Sequence, residues 1–132
     1  DLLESRGLGD VYKRQIDGFM AQTGDVQFGN SSNAQYNIDR AGKGGSVLPE
    51  LPSEFSDIPH LRGTLSMARS SDPNSANSQF FICFEDAPHL DRNYTVFGKV
   101  IKGMEFVDKI KLGTGPNGSV SDPDKIISFK SK

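Results

Sequence analysis

The chain has 132 residues, 15 Lys plus Arg against 17 Asp plus Glu, and a formal net charge of −2. That length suits one domain with its own core, and a balanced charge without a basic block argues against a nucleic-acid or anionic-membrane partner. A hydrophobic content of 35% with nine Phe is ordinary for a soluble protein. No apolar run approaches the roughly 18 to 20 residues of a membrane span, and the first residues lack the charged start and apolar centre of a signal peptide.

Residues 1–15, DLLESRGLGDVYKRQ, begin without Met and show no strand or helix period. They read as a non-native or disordered leader, with the domain proper at 16–132. From Ile16 the character changes: IDGFMAQTGD sets Phe19 and Met20 beside Gln22, with Gly18 and Gly24 allowing tight backbone geometry. Residues 28–54 are rich in Gly, Asn, Ser and Pro, which predicts a long excursion over the surface of the kind that often serves a site. His60 reads as a loop residue ahead of a short strand at 64–68.

Residues 65–84, LSMARSSDPNSANSQFFICF, hold the densest apolar run and the densest cluster of side-chain amides. Phenylalanines at 80, 81 and 84, bounded upstream by Asp72-Pro73-Asn74, argue for a strand over 78–84. On a strand Gln79, Phe81 and Cys83 share one face while Phe80, Ile82 and Phe84 share the other. A buried glutamine must use its donors and acceptors, so Gln79 is either satisfied by the Asn/Ser loop before it or aimed at a ligand's peptide group. Cys83, the single cysteine, excludes an intramolecular disulfide and reads as a small core side chain. His60 and His89 lack metal-ligand spacing, so no metal site is expected.

Residues 94–101 are β-branched and aromatic enough for a strand. From Gly103 to Leu112 the apolar positions Met104, Val107, Ile110 and Leu112 take helical spacing, which predicts a short amphipathic helix. Residues 125–130 read as the last strand. Gly113-Thr-Gly115-Pro-Asn-Gly118 matches G-x-G-x-x-G, but it follows a helix and opens none, so it is not a dinucleotide loop. Strands are short and helix is scarce; the class is all-β (mainly β), with a barrel expected.

These residues resemble the cyclophilin-type peptidyl-prolyl cis/trans isomerases. IDGFMAQTGD at 16–25, LSMA at 65–68, NSQFFI at 77–82 and YTVFGKV at 94–100 occur in the family's order with compatible spacing, and the loop at 72–78 is similar to bacterial members. The resemblance covers about residues 12–130. It implies a closed antiparallel β-barrel with one or two capping helices. It also implies a proline pocket of Phe19, Met20, Phe81 and Leu90, an amide-binding Gln22, and a groove along Ala68, Arg69 and Gln79 for the residues that precede the proline. The family's catalytic arginine, five residues before the pocket phenylalanine, falls on Arg14. Arg69 itself reads as a solvated loop residue with only its backbone facing substrate. His89 stands where some members carry a tryptophan that helps bind cyclosporin, and Tyr94 where many carry histidine, so weak cyclosporin binding is expected. Family members carry two strands and a helix ahead of the arginine segment, so this chain reads as an incomplete cyclophilin.

The implied activity is isomerisation of X-Pro peptide bonds in protein folding, with no cofactor. The expected partners are proline-containing peptides and unfolded proteins, neither nucleic acid nor membrane. A monomer is expected, cytoplasmic, or periplasmic if a secretion signal precedes Asp1 in the native protein. The competing readings are a proline-peptide binding module or chaperone without turnover, and a truncated chain that is inactive. A purely structural role for Phe19, Met20 or Phe81 as barrel core explains each residue singly. It does not explain Gln22 and Gln79 beside them or an arginine at the required offset.

Overall fold

The computed structural model describes residues 10–11, 14–16, 19–115 and 118–131, and of residues 10–16 only the backbone. Among the described residues seven short strands form two antiparallel sheets. Strands β1 (Asp10–Val11) and β7 (Lys125–Ile126) pair with each other. The other five are β2 (Arg14–Ile16), β3 (Met20–Thr23), β4 (Thr64–Met67), β5 (Phe80–Cys83) and β6 (Val96–Lys99), in the order β2-β3-β5-β4-β6. The mainly-β class read from the sequence holds. The first fifteen residues carry no strand signal, yet 10–11 and 14–16 are strands: their pairing partners in β7 and β3 supply an order that local propensity does not.

β5 is buried at all four positions. Both of its faces are covered, which is why its sequence reads as an apolar run and not as an alternation. On one face Phe80 packs edge-on against Phe97 at 5.9 Å and tilted by 36° against Phe129 at 5.8 Å. On the other, Phe81 and Cys83 join Met20, Ala87 and Leu90 in one buried cluster. Register across the sheet makes a row of Arg14, Gln22, Phe81 and Ser66, each opposite the next. Facing residues in an antiparallel ladder lie on the same side of the sheet, so Gln22, Phe81 and Ser66 fix which side of β3, β5 and β4 carries the candidate site.

The strands are shorter than expected: β5 starts at Phe80, two residues after Ser78, β6 covers Val96–Lys99 of 94–101, and β7 ends at Ile126. The expected helix over 103–112 is α-helical only at α1 (Met104–Val107), entered from Gly103 at φ 88°. Beyond it the Lys109 and Ile110 amides donate to the carbonyls three residues back, at 3.1 Å each, so the last turn tightens. Of the expected stripe, Met104, Val107 and Ile110 are half-buried, whereas Leu112, beyond the helical turns, is 53% exposed.

The long excursion at 28–54 does run over the surface, but it is tied down from beneath. Asp25 is buried, and its Oδ1 accepts from the Gln27 and Phe28 amides at 3.1 and 3.0 Å. Its Oδ2 accepts from the Gly42 and Gly44 amides at 2.7 and 2.8 Å. Four charge-assisted bonds to one carboxylate close the loop's base. Asn77 fastens the next stretch, accepting from the Ser46 amide at 2.7 Å and donating to the Leu48 carbonyl at 3.1 Å. Gly24, at φ 95°, lets β3 turn into this base; a Cβ there would run into the Ser78 carbonyl oxygen.

Candidate active site

Each wall of the buried cluster is set by a different element. Met20 opens β3 and Phe81 and Cys83 come from β5. The short 3₁₀ turn Pro88–Leu90 brings in Leu90, with proline at its first turn and the Leu90 amide donating to the Ala87 carbonyl at 3.0 Å. Phe19, Ala68 and Tyr94 are partly buried and pack against the cluster. Phe19 is held by its backbone, whose carbonyl accepts from the Phe84 amide at 2.8 Å. The four residues expected to form the pocket, Phe19, Met20, Phe81 and Leu90, are thus brought together. Tyr94 stands edge-on to Phe81 at 5.9 Å, and exposed His89 is tilted against Phe19 at 5.3 Å, at the cluster's rim.

Beside the cluster runs a polar groove of about 420 Å³, lined among others by Gln22, Gly44, Ala68, Arg69, Asn77 and Gln79. Gln22 Nε2 donates to Gln79 Oε1 at 2.8 Å, and Gln79 Nε2 donates to the Gly42 and Gly44 carbonyls at 3.0 and 2.8 Å. Gln79 is therefore satisfied, but by Gln22 and the glycine-rich loop and not by the Asn/Ser loop before it. That leaves it shaping the groove wall and orienting Gln22. Ala68 packs on the cluster and also lines the groove, and Gln22 lies opposite Phe81, so the apolar and polar halves meet at these two residues.

Arg69 departs from the sequence reading. Its side chain is half-buried, its Nε and Nη2 donate to the Asn93 carbonyl at 3.2 and 2.7 Å, and its guanidinium carbon lies 4.5 Å from the Tyr94 ring centroid. A planar cation on an aromatic face is favourable, and here it holds Tyr94 against the cluster instead of extending into solvent. Arg14 occupies β2 directly opposite Gln22, at the end of the row that continues through Phe81. Its side chain lies outside the described residues.

Cys83 is fully buried and burial pushes its thiol up to about 11, with the charges of Asp86 and Asp91 adding to the effect. At neutral pH it is a thiol packed in the cluster and not a nucleophile. Sequence reasoning missed His60. It is almost wholly buried, with Nδ1 3.1 Å from Asp91 Oδ1 and Nε2 2.9 Å from Ser66 Oγ. The backbone N–H of His60 also donates to Asp91 Oδ1 at 2.7 Å. That bond, then the one from the ring, holds the Asp91 carboxyl below the usual carboxylate range against its partial desolvation. No local pattern marks this array, because Asp91 lies 31 residues from His60.

The mainly-β sheet carries an apolar cluster beside an amide-lined groove, and comparison places the chain in a known family. Residues 9–131 match the family of cyclophilin type peptidyl-prolyl cis-trans isomerase/CLD. The chain is 58% identical over 120 residues to a probable peptidyl-prolyl cis-trans isomerase of Brucella abortus (strain 2308), covering 90% of this chain and 61% of that relative. It thus spans about three fifths of the length of such curated relatives. The crystal structure of a Cryptosporidium parvum cyclophilin type peptidyl-prolyl cis-trans isomerase in the presence of the dipeptide Ala-Pro has a TM-score of 0.77 and 27% identity, over 96% of this chain and 76% of that one. A cyclophilin of Hirschia baltica shares the fold at a TM-score of 0.71 and 23% identity, over 93% and 59%. The chain belongs to the cyclophilin-type peptidyl-prolyl cis-trans isomerase family.

Proposed function

We propose that this chain carries the substrate site of a peptidyl-prolyl cis/trans isomerase acting on X-Pro bonds in peptides and unfolded proteins. The observation that carries the reading is the meeting of the apolar cluster with the polar groove at Gln22 and Ala68. An X-Pro segment has the same duality, an apolar ring joined to peptide groups that need hydrogen-bond partners. The ring seats among Phe19, Met20, Phe81 and Leu90, Gln22 meets the adjoining peptide, and the preceding residues lie along Ala68, Arg69 and Gln79. The dipeptide present with the Cryptosporidium parvum relative is of this chemical type.

Amide resonance sets a rotational barrier of about 18 to 20 kcal/mol, which leaves X-Pro exchange taking tens to hundreds of seconds. Rotation breaks no covalent bond, so neither nucleophile nor metal takes part. In the twisted transition state the nitrogen lone pair is released from the carbonyl and becomes basic. A guanidinium donating to it then binds the transition state better than the planar ground state, which is the condition for acceleration. Arg14 is the donor in this scheme, placed by register on the row of Gln22 and Phe81. His89 offers less apolar area than an indole at the rim, so cyclosporin binding is weak.

The test is exchange of an Ala-Pro peptide followed by NMR, with chelator present. A rate well above background is expected, and a folded chain that leaves the rate at background refutes the reading.

A further inference from the structure

We propose that His60, which is not among the residues lining the groove, is a positioning residue for the pocket, holding Phe81 and Tyr94 in the orientation that grips a proline ring. The inference rests on the isomerase reading above and adds to it a residue with a different kind of role. Burying an imidazole is unfavourable unless both ring nitrogens find partners. Here both do. A carboxylate only accepts, so Nδ1 carries the proton shared with Asp91, and Nε2 meets the hydroxyl of fully buried Ser66. Ser66 has one hydroxyl proton, and with Nδ1 protonated it goes to Nε2; the Thr95 carbonyl oxygen, 3.1 Å from Ser66 Oγ, accepts from the Met67 amide at 2.9 Å. Asp91, His60 and Ser66 therefore link the turn that bears Leu90 to strand β4.

The ring between those partners touches the pocket from behind. It stacks on Phe81 with an interplanar angle of 16° and centroids 6.2 Å apart, and it meets Tyr94 edge-on at 84° and 6.5 Å. The backbone is fastened to the same wall, since the His60 carbonyl accepts from the amide of Ala87, a cluster residue, at 2.8 Å. Apolar packing alone would fill this volume without fixing a ring angle. Directional bonds at both ends of the imidazole fix it, and a fully satisfied buried network rigidifies what it contacts.

The experiment uses the whole chain and an Ala-Pro peptide, with dissociation constant and exchange kinetics measured on the same samples. His60→Phe keeps an aromatic ring of similar shape and removes both polar ends. Its dissociation constant and KM should rise about five- to tenfold while kcat stays within about twofold, because a looser pocket loses ground-state and transition-state grip alike. The Phe81 and Tyr94 ring resonances should shift in the free protein. Asp91→Asn, at a partly exposed position, carries the test if His60→Phe does not fold; it should weaken binding in the same direction by about two- to fivefold. Folded variants that bind like the parent, or that lose kcat at constant KM, overturn the inference alone. A parent chain that binds no proline peptide overturns the isomerase reading and this inference with it.

Discussion

The two faces of β5 carry adjacent phenylalanines in different surroundings. Phe80 meets Phe97 and Phe129, with apolar rings on both sides. Phe81 meets Met20, Leu90 and Tyr94, and behind them a histidine whose two nitrogens are both engaged. The first face stabilises by area removed from water, which is tolerant of angle. The second adds directional bonds around a cleft, which stabilise no better than good packing but hold a shape. Burial alone does not separate the two residues, since they are 5% and 4% exposed; their neighbours do.

That contrast is broken most forcefully by truncating both rings. Phe80→Ala and Phe81→Ala should each lower folding stability by about 3 to 5 kcal/mol, measured by urea denaturation. Only Phe81→Ala should also weaken a proline peptide, by about 2 to 3 kcal/mol of lost apolar contact in a titration under conditions where both variants are folded. Equal binding by the two variants would erase the distinction between the faces.

A smaller effect concerns acid. Asp91 is held below the usual carboxylate value of about 3.9 by the His60 amide and ring, so its contribution is complete above that value and is lost as pH falls through the lower folded-state value. Asp108, lowered by its two bonds from Arg62 at 2.9 and 2.6 Å, behaves with the same sign. The melting temperature should therefore be insensitive to these groups from about pH 5 to 8 and fall below about pH 4. Asp91→Asn should flatten part of that acid limb, and an identical acid limb in parent and variant would mean that the Asp91–His60 contact stabilises nothing.

Much of the pocket is legible in sequence because its residues fall in short motifs: Phe19, Met20 and Gln22 within four positions, and Gln79 and Phe81 within three. Gln22 and Gln79 do lie together beside the aromatics and bond to each other, although the further partners of Gln79 are not legible. Those partners are carbonyls of Gly42 and Gly44, and backbone groups leave no trace in residue identity. Asp25 escapes a sequence reading for the same reason, since all four of its bonds go to amides. His60 reads as a loop residue, which its backbone is; its burial depends on Asp91 and Phe81, which only the folded chain brings near. Arg69 looks solvated because arginine on a loop usually is, and the stacking on Tyr94 is a tertiary contact. Strand ends are overestimated because propensity continues past the last ladder bond.

The measurement that bears most directly on the central claim pairs binding with turnover in Arg14→Ala. If the pocket supplies ground-state grip and the arginine acts on the twisted nitrogen, the variant should bind an Ala-Pro peptide within about threefold of the parent by NMR titration. On the same samples its exchange rate should fall about a hundredfold or more, the usual cost of removing one donor aimed at a transition state. An Arg14→Ala chain that catalyses exchange like the parent would contradict the account, because the row from Arg14 through Gln22 to Phe81 would then not be the catalytic axis of the site.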